Sequence, residues 1–172
     1  MEKKPKKALL FEVAWEVCNQ VGGIYTVIRS KVPAMVDQWG DDYVCLGPYF
    51  PQRALTEYEP ITSDDGSGIY QTVEKMREAG FVVEYGYWLI TGKPRVVLFD
   101  IRSVAAQLDR IKYGLWERHR ISTVNIEDLV NQTLGFGEMV RVFLTQFADD
   151  YAKKFEITAH FHEWMASSGL PD

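Results

Sequence analysis

Hydrophobic positions along the chain switch between a two-residue and a helical period, and the switches predict alternating strands and helices. After a charged leader, MEKKPKK, the segment KALLFEVAW has apolar residues at Ala8, Leu9, Leu10, Phe11, Val13 and Ala14. A strand with that bias has both faces covered. A loop follows from Val17 to Gly22, and GIYTVIRSKVPAMVDQW then sets Ile24, Val27, Ile28 and Val32 at helical spacing. Pro33 is expected to bend or divide that helix and Gly40 to end it. DYVCLGPYF, short and rich in β-formers, reads as a second strand. Residues 52–73 carry no clear period and include SDDGSG, the most flexible-looking piece.

Beyond it, TVEKMREAG predicts a short helix, and FVVEYGYWLI and RVVLFDI read as neighbouring strands joined through TGKP. Residues 103–117 and 127–153 are helical in pattern, the second with Leu129, Leu134, Val140, Phe143, Leu144 and Phe147 as its apolar stripe. FEITAHFHEW closes the series as a strand with an unusually polar end. The order predicts an α/β fold: a Rossmann-like, open, mostly parallel sheet with helices on both faces. Such sheets bind ligands beyond the carboxyl ends of their parallel strands.

Composition narrows the function. The 172 residues are 47% hydrophobic and 25% charged, an ordinary globular balance, and suffice for about one domain. A formal charge of −5 argues against a nucleic-acid partner. No window approaches the roughly 20 apolar residues of a membrane span, and the run after the basic leader is cut off at Glu12 before a signal core forms. Cys18 and Cys45 form no C-x-x-C pair and read as idle thiols, so the expected location is cytoplasmic.

Two features fall at strand ends. In WEVCNQVGGIYTV, Gly22 and Gly23 precede a helix, where backbone N–H groups and the helix dipole favour an anion such as phosphate. The same pair also suits a plain tight turn, and it is neither a three-glycine dinucleotide fingerprint nor a Walker loop. In AHFHEW, His160 and His162 point to one face of a strand, with Glu163 beside them. Zinc is disfavoured, because the only other histidine is the distant His119. The bland alternative has one histidine capping the core and the other in solvent. Of the aromatic residues, only Trp15 and Trp164 adjoin the two features.

LFEVAWEVCNQVGGIYTVIRSK, then WGDDYVCLGPYF and finally AHFHEW closely resemble the opening of the animal and fungal glycogen synthases. The resemblance covers about residues 7–50 and 134–170. It implies a retaining transfer of glucose from a nucleotide-glucose donor, UDP-glucose in those enzymes, to the 4-hydroxyl of an α-1,4-glucan. No metal or other cofactor is implied. By resemblance, Gly22 and Gly23 lie against the donor diphosphate, His162 is the catalytic candidate near the transferred sugar, and His160 and Glu163 orient it. Relatives commonly carry Lys or Arg immediately before VGG, where this chain has Gln20, a donor-binding candidate without the charge. The family's nucleotide-binding domain follows the HEW motif. Residues 1–172 are therefore expected to form an incomplete N-terminal, acceptor-side domain, inactive alone, with room for a homo-oligomer in the complete protein. The competing expectation is a non-catalytic module that holds a glucan or a phosphorylated ligand. A nicotinamide-dependent oxidoreductase fits worse, because no acidic residue ends the second strand.

Overall fold

The computed structural model describes residues 6–171, so most of the basic leader lies outside the described residues. Six strands form one sheet: β1 (Lys7–Val13), β2 (Tyr43–Pro48), β3 (Tyr58–Pro60), β4 (Val83–Trp88), β5 (Arg95–Phe99) and β6 (Phe155–Phe161). Their spatial order is β3-β4-β5-β2-β1-β6. β5, β2, β1 and β6 are mutually parallel, while β4 runs antiparallel to both β3 and β5. The expected mostly parallel α/β sheet is observed, including the β4–β5 hairpin.

β1 lies between two parallel neighbours and under helices on both faces. Leu9, Phe11 and Val13 point to one side and Leu10 and Ala14 to the other. The first side is covered by α3 (Gly68–Glu78) and α5 (Asp128–Tyr151), through Val73, Met76, Phe136, Phe143 and Phe147. Phe11 meets Phe143 and Phe147 edge-to-face at 5.5 and 5.1 Å, each contact adding about 0.5–1.5 kcal/mol beyond area burial. The second side is covered by α1 (Gly23–Trp39), which buries Tyr25, Ile28 and Val32.

Three expectations need correction. Pro33 does not divide α1, which continues as one helix because residues on both sides of the proline pack on the sheet, Ile28 and Val32 before it and Met35 and Val36 after it. The stretch 52–73 is structured: α2 (Pro51–Ala54) and β3 precede α3, which begins at Gly68. SDDGSG is ordered by local hydrogen bonds, with Asp64 accepting from the Gly66 N–H at 2.8 Å and Asp65 from the Ser67 N–H at 2.9 Å. The Ser67 hydroxyl then accepts from the Tyr70 N–H at 3.0 Å and starts α3. Residues 101–107 form a 3-10 turn leading into α4 (Leu108–His119).

After β6, the chain turns through α6 (Glu163–Ala166) and a 3-10 turn at Ser167–Gly169 that docks on α5. The Ser168 hydroxyl donates to the Thr133 carbonyl at 2.6 Å. Gly137 and Gly169 let the two backbones touch: a Cβ on Gly137 would lie 2.3 Å from Ser168 Oγ and 2.5 Å from the Gly169 nitrogen. Gly137→Ala therefore forces this turn off α5 at a cost of about 1–3 kcal/mol. Thermal unfolding is expected to shift down by several degrees, and an unchanged Tm would show that the turn relaxes freely.

Candidate functional site

The parallel register sets the site. β1 pairs with β6 so that Glu12 is opposite His160 and Val13 opposite Phe161, and the His162 N–H then donates to the Val13 carbonyl at 2.9 Å. Both imidazoles lie beside the end of β1 with ring centroids 4.3 Å apart, His160 more than half exposed and His162 largely covered.

What holds His162 is a residue that sequence reasoning passed over. Glu12 is fully buried on the α1 side of β1. His162 Nε2 lies 2.5 Å from Glu12 Oε1, and His160 Nδ1 lies 3.6 Å from the same oxygen. Lys31 of α1 forms an ion pair with Oε1, and the Tyr43 hydroxyl of β2 donates to Oε2. Burial alone would raise the Glu12 pKa, but the hydrogen bonds from His162, Lys31 and Tyr43 outweigh it and hold the carboxyl at about 2. Burial pushes the Tyr43 phenol above its ordinary value, so it stays protonated and donates. His160 is shifted down by burial and by the neighbouring His162 and Lys31.

Glu12, His160 and His162 also present three ligand atoms within 4.8 Å of one another. A cation there would meet the Lys31 ammonium on the shared oxygen Oε1, so the arrangement is a charge network already balanced by protein. The one sequence signal for it was a lone carboxylate inside a strand otherwise apolar on both faces.

The glycine loop carries a second feature missed in the sequence. The Glu16 carboxylate, itself buried, sits on the N-terminus of α1, where Oε2 accepts from the Gly22 N–H at 2.7 Å, the Tyr25 N–H at 3.1 Å and the Val21 N–H at 3.4 Å. Around Gly23 a Cβ would meet nothing within 4 Å, so that side is open. Gln20 is exposed, and Arg53 of α2 reaches its carbonyl at 3.3 Å and Asn19 Oδ1 at 2.7 Å. A guanidinium thus stands beside the position where Gln20 brings no charge.

Glu163 opens α6 in the left-handed region at φ 59° and is exposed. A glutamate held there costs on the order of 1 kcal/mol or more. Trp164 is exposed beside it. Trp15 is not at the surface: it is buried 5.6 Å from Phe50 and 5.7 Å from Phe136 by ring centroid, and its weight is in packing. Cys18 and Cys45 are buried free thiols, and burial pushes Cys45 up to about 12.

Along the same edge, beyond the ends of β2 and β5, a cavity of about 460 Å³ is walled by Tyr49, Phe50, Val104 and Leu108. Asn131 lines it, and its Oδ1 is buried without a hydrogen-bond partner. Among the described residues, no helix is long and apolar enough to cross a membrane.

Comparison with known proteins gives one consistent match. A family described as glycogen synthase matches residues 12–171. The chain is 42% identical over 165 residues to the liver glycogen [starch] synthase of Homo sapiens, covering 96% of the chain and 23% of that protein. It is 38% identical to the glycogen [starch] synthase of Neurospora crassa over 98% of the chain and 24% of the relative. The Caenorhabditis elegans glycogen [starch] synthase is also 38% identical, over 94% of the chain and 24% of the relative. The chain thus spans about a quarter of the length of these relatives.

The Glu12 network predicts a specific acid response. Because its folded pKa of about 2 lies below the ordinary 4.5, it adds stability above pH 4.5 that is lost as pH falls toward 2. Urea unfolding from pH 5 to pH 2 is expected to show this loss, of order 3 kcal/mol, and Glu12→Gln to flatten that part of the slope. Equal slopes in both proteins would locate the acid sensitivity elsewhere.

Proposed function

Because the chain belongs to the glycogen synthase family, we propose that it forms the acceptor-side lobe of a retaining glucosyltransferase. The reaction moves glucose from a nucleotide-glucose donor to the 4-hydroxyl of an α-1,4-glucan. The observation that carries this reading is that the glycine loop, open at Gly23, and His162, anchored on a buried carboxylate, both follow the carboxyl ends of the adjacent parallel strands β1 and β6.

In this reading Gly23, the N-terminus of α1 and Arg53 face the donor diphosphate. The guanidinium supplies the charge that Gln20 does not, and both groups stabilise negative charge that grows on the leaving diphosphate. Gly22 contributes its N–H once Glu16 yields it. His162 lies against the transferred glucose, where its imidazole holds a sugar hydroxyl or stabilises the oxocarbenium-like transition state. His160 and Glu163 orient the sugar. No metal is assigned, since Lys31 already neutralises Glu12. The acceptor glucan runs along the edge into the cavity beside Tyr49 and Phe50, whose rings suit sugar faces, with Asn131 Oδ1 accepting from a hydroxyl. The partner groups that grip the nucleotide come from a second lobe across the cleft. The two reduced, buried thiols are in keeping with the cytoplasm.

The test compares glucose transfer from UDP-glucose into glycogen by the gene product isolated from its source cell and by the 172-residue chain. Transfer by the first and none by the second is expected. A gene product no larger than this chain that binds glycogen saturably without transferring glucose would replace the enzyme with a binding module. In an active gene product, His162→Ala is expected to lower kcat at least about 100-fold with the circular dichroism spectrum intact. Undiminished turnover would remove His162 from the chemistry.

A further inference from the structure

We propose that Glu12 is a positioning residue for His162, fixing which ring nitrogen faces the substrate. This rests on the reading of His162 given above and extends it to a residue with no substrate contact. The geometry is one of enforced orientation. An ionised Glu12 Oε1 can only accept from His162 Nε2, 2.5 Å away, so Nε2 carries the proton and Nδ1 is the ring nitrogen left for the substrate. The carboxylate cannot rotate away, since Tyr43 holds Oε2 and Lys31 holds Oε1. Glu12, Tyr43 and Lys31 come from three different elements, β1, β2 and α1, so the imidazole just past the end of β6 is oriented by the packed framework of sheet and helix.

A structural ion pair accounts for less of this arrangement. Glu12 with Lys31 alone would satisfy the charge, and a buried pair of that kind is often no better for stability than apolar residues of similar volume. The hydrogen bond from His162 needs a separate account, as does the placement of the carboxylate one residue before the end of β1, where the sheet opens to the ligand edge. The titratable groups facing the pair are His160, Lys31 and Tyr43, with the Cys45 thiol across from Glu12 in register on β2. Lys31 and the hydrogen bond from Tyr43 favour an ionised Glu12, and burial keeps Cys45 a neutral thiol.

Nitrogen-15 NMR of histidine-labelled 172-residue chain reads the proton position directly. Wild-type His162 is expected as the Nε2–H tautomer, and Glu12→Gln, whose amide can donate as well as accept, is expected to shift it toward Nδ1–H. In the native-length enzyme, Glu12→Gln is expected to lower kcat about 10- to 100-fold with KM for glycogen within about twofold, and Glu12→Asp to recover part of that loss. Two results overturn the proposal: wild-type His162 protonated on Nδ1, or a folded Glu12→Gln variant with unchanged tautomer and unchanged kcat. Absence of transfer by the unmodified native-length protein would instead sink the glucosyltransferase reading, while the tautomer measurement still decides the role of Glu12.

Discussion

The structure turns on a charge placed inside β1. That strand is paired on both edges and covered on both faces, so its residues from Leu9 to Val13 are cut off from water. Apolar residues accept that place freely, whereas the Glu12 carboxylate would cost several kcal/mol without compensation. Compensation must arrive from three directions at once, Tyr43 from β2, Lys31 from α1 and His162 from just beyond β6. A one-residue slip of either neighbouring strand would aim the wrong face at the carboxylate. The same charge that is costly to bury therefore specifies register on both sides of the central strand, and with it the position of the histidine pair.

The opposite face of β1 supplies the rigidity this needs. Phe11, Phe143 and Phe147 form an edge-to-face and stacked cluster, and α5 extends that contact with Phe136, Met139 and Val140. α5 also receives the turn after the HEW motif, through the backbone contact of Gly137 with Gly169. The segment holding His162 and Glu163 is thus gripped at both ends, by the Val13 carbonyl before it and by α5 after it. The left-handed Glu163 sits between these two anchors, which is where an unfavourable backbone angle can persist.

Much of this architecture is legible in the sequence, and the exceptions share a physical cause. β1, β2, the β4–β5 hairpin and α5 were readable because their apolar period is strong and their contacts repeat it. β3 was not, since Tyr58, Glu59 and Pro60 carry no alternation and become a strand only because β4 offers an open edge. The early start of α3 depends on the Ser67 cap, and the continuity of α1 through Pro33 depends on packing from both sides. At the site, the Gly22–Gly23 loop and the His160–His162 pair were visible as motifs. Glu12, Glu16, Lys31, Tyr43 and Arg53 were not, because their significance comes from neighbours 5 to 150 residues away in sequence. Tertiary hydrogen bonding leaves little trace in local pattern, apart from an isolated charge in a strand that should be apolar.

Glu16 adds a constraint on how such an edge can take an anion. The helix dipole and the N–H groups at the start of α1 attract negative charge, and Glu16 already supplies one, buried and hydrogen-bonded to three amides. Any further anion at this helix end would meet amides already engaged by Glu16 and the repulsion of its carboxylate at short range. Arg53 and the open side at Gly23 are the groups able to reverse that balance, since neither depends on the amides that Glu16 holds. Anion affinity at this edge is therefore set less by the glycine pair itself than by the competition between one internal carboxylate and one reaching guanidinium.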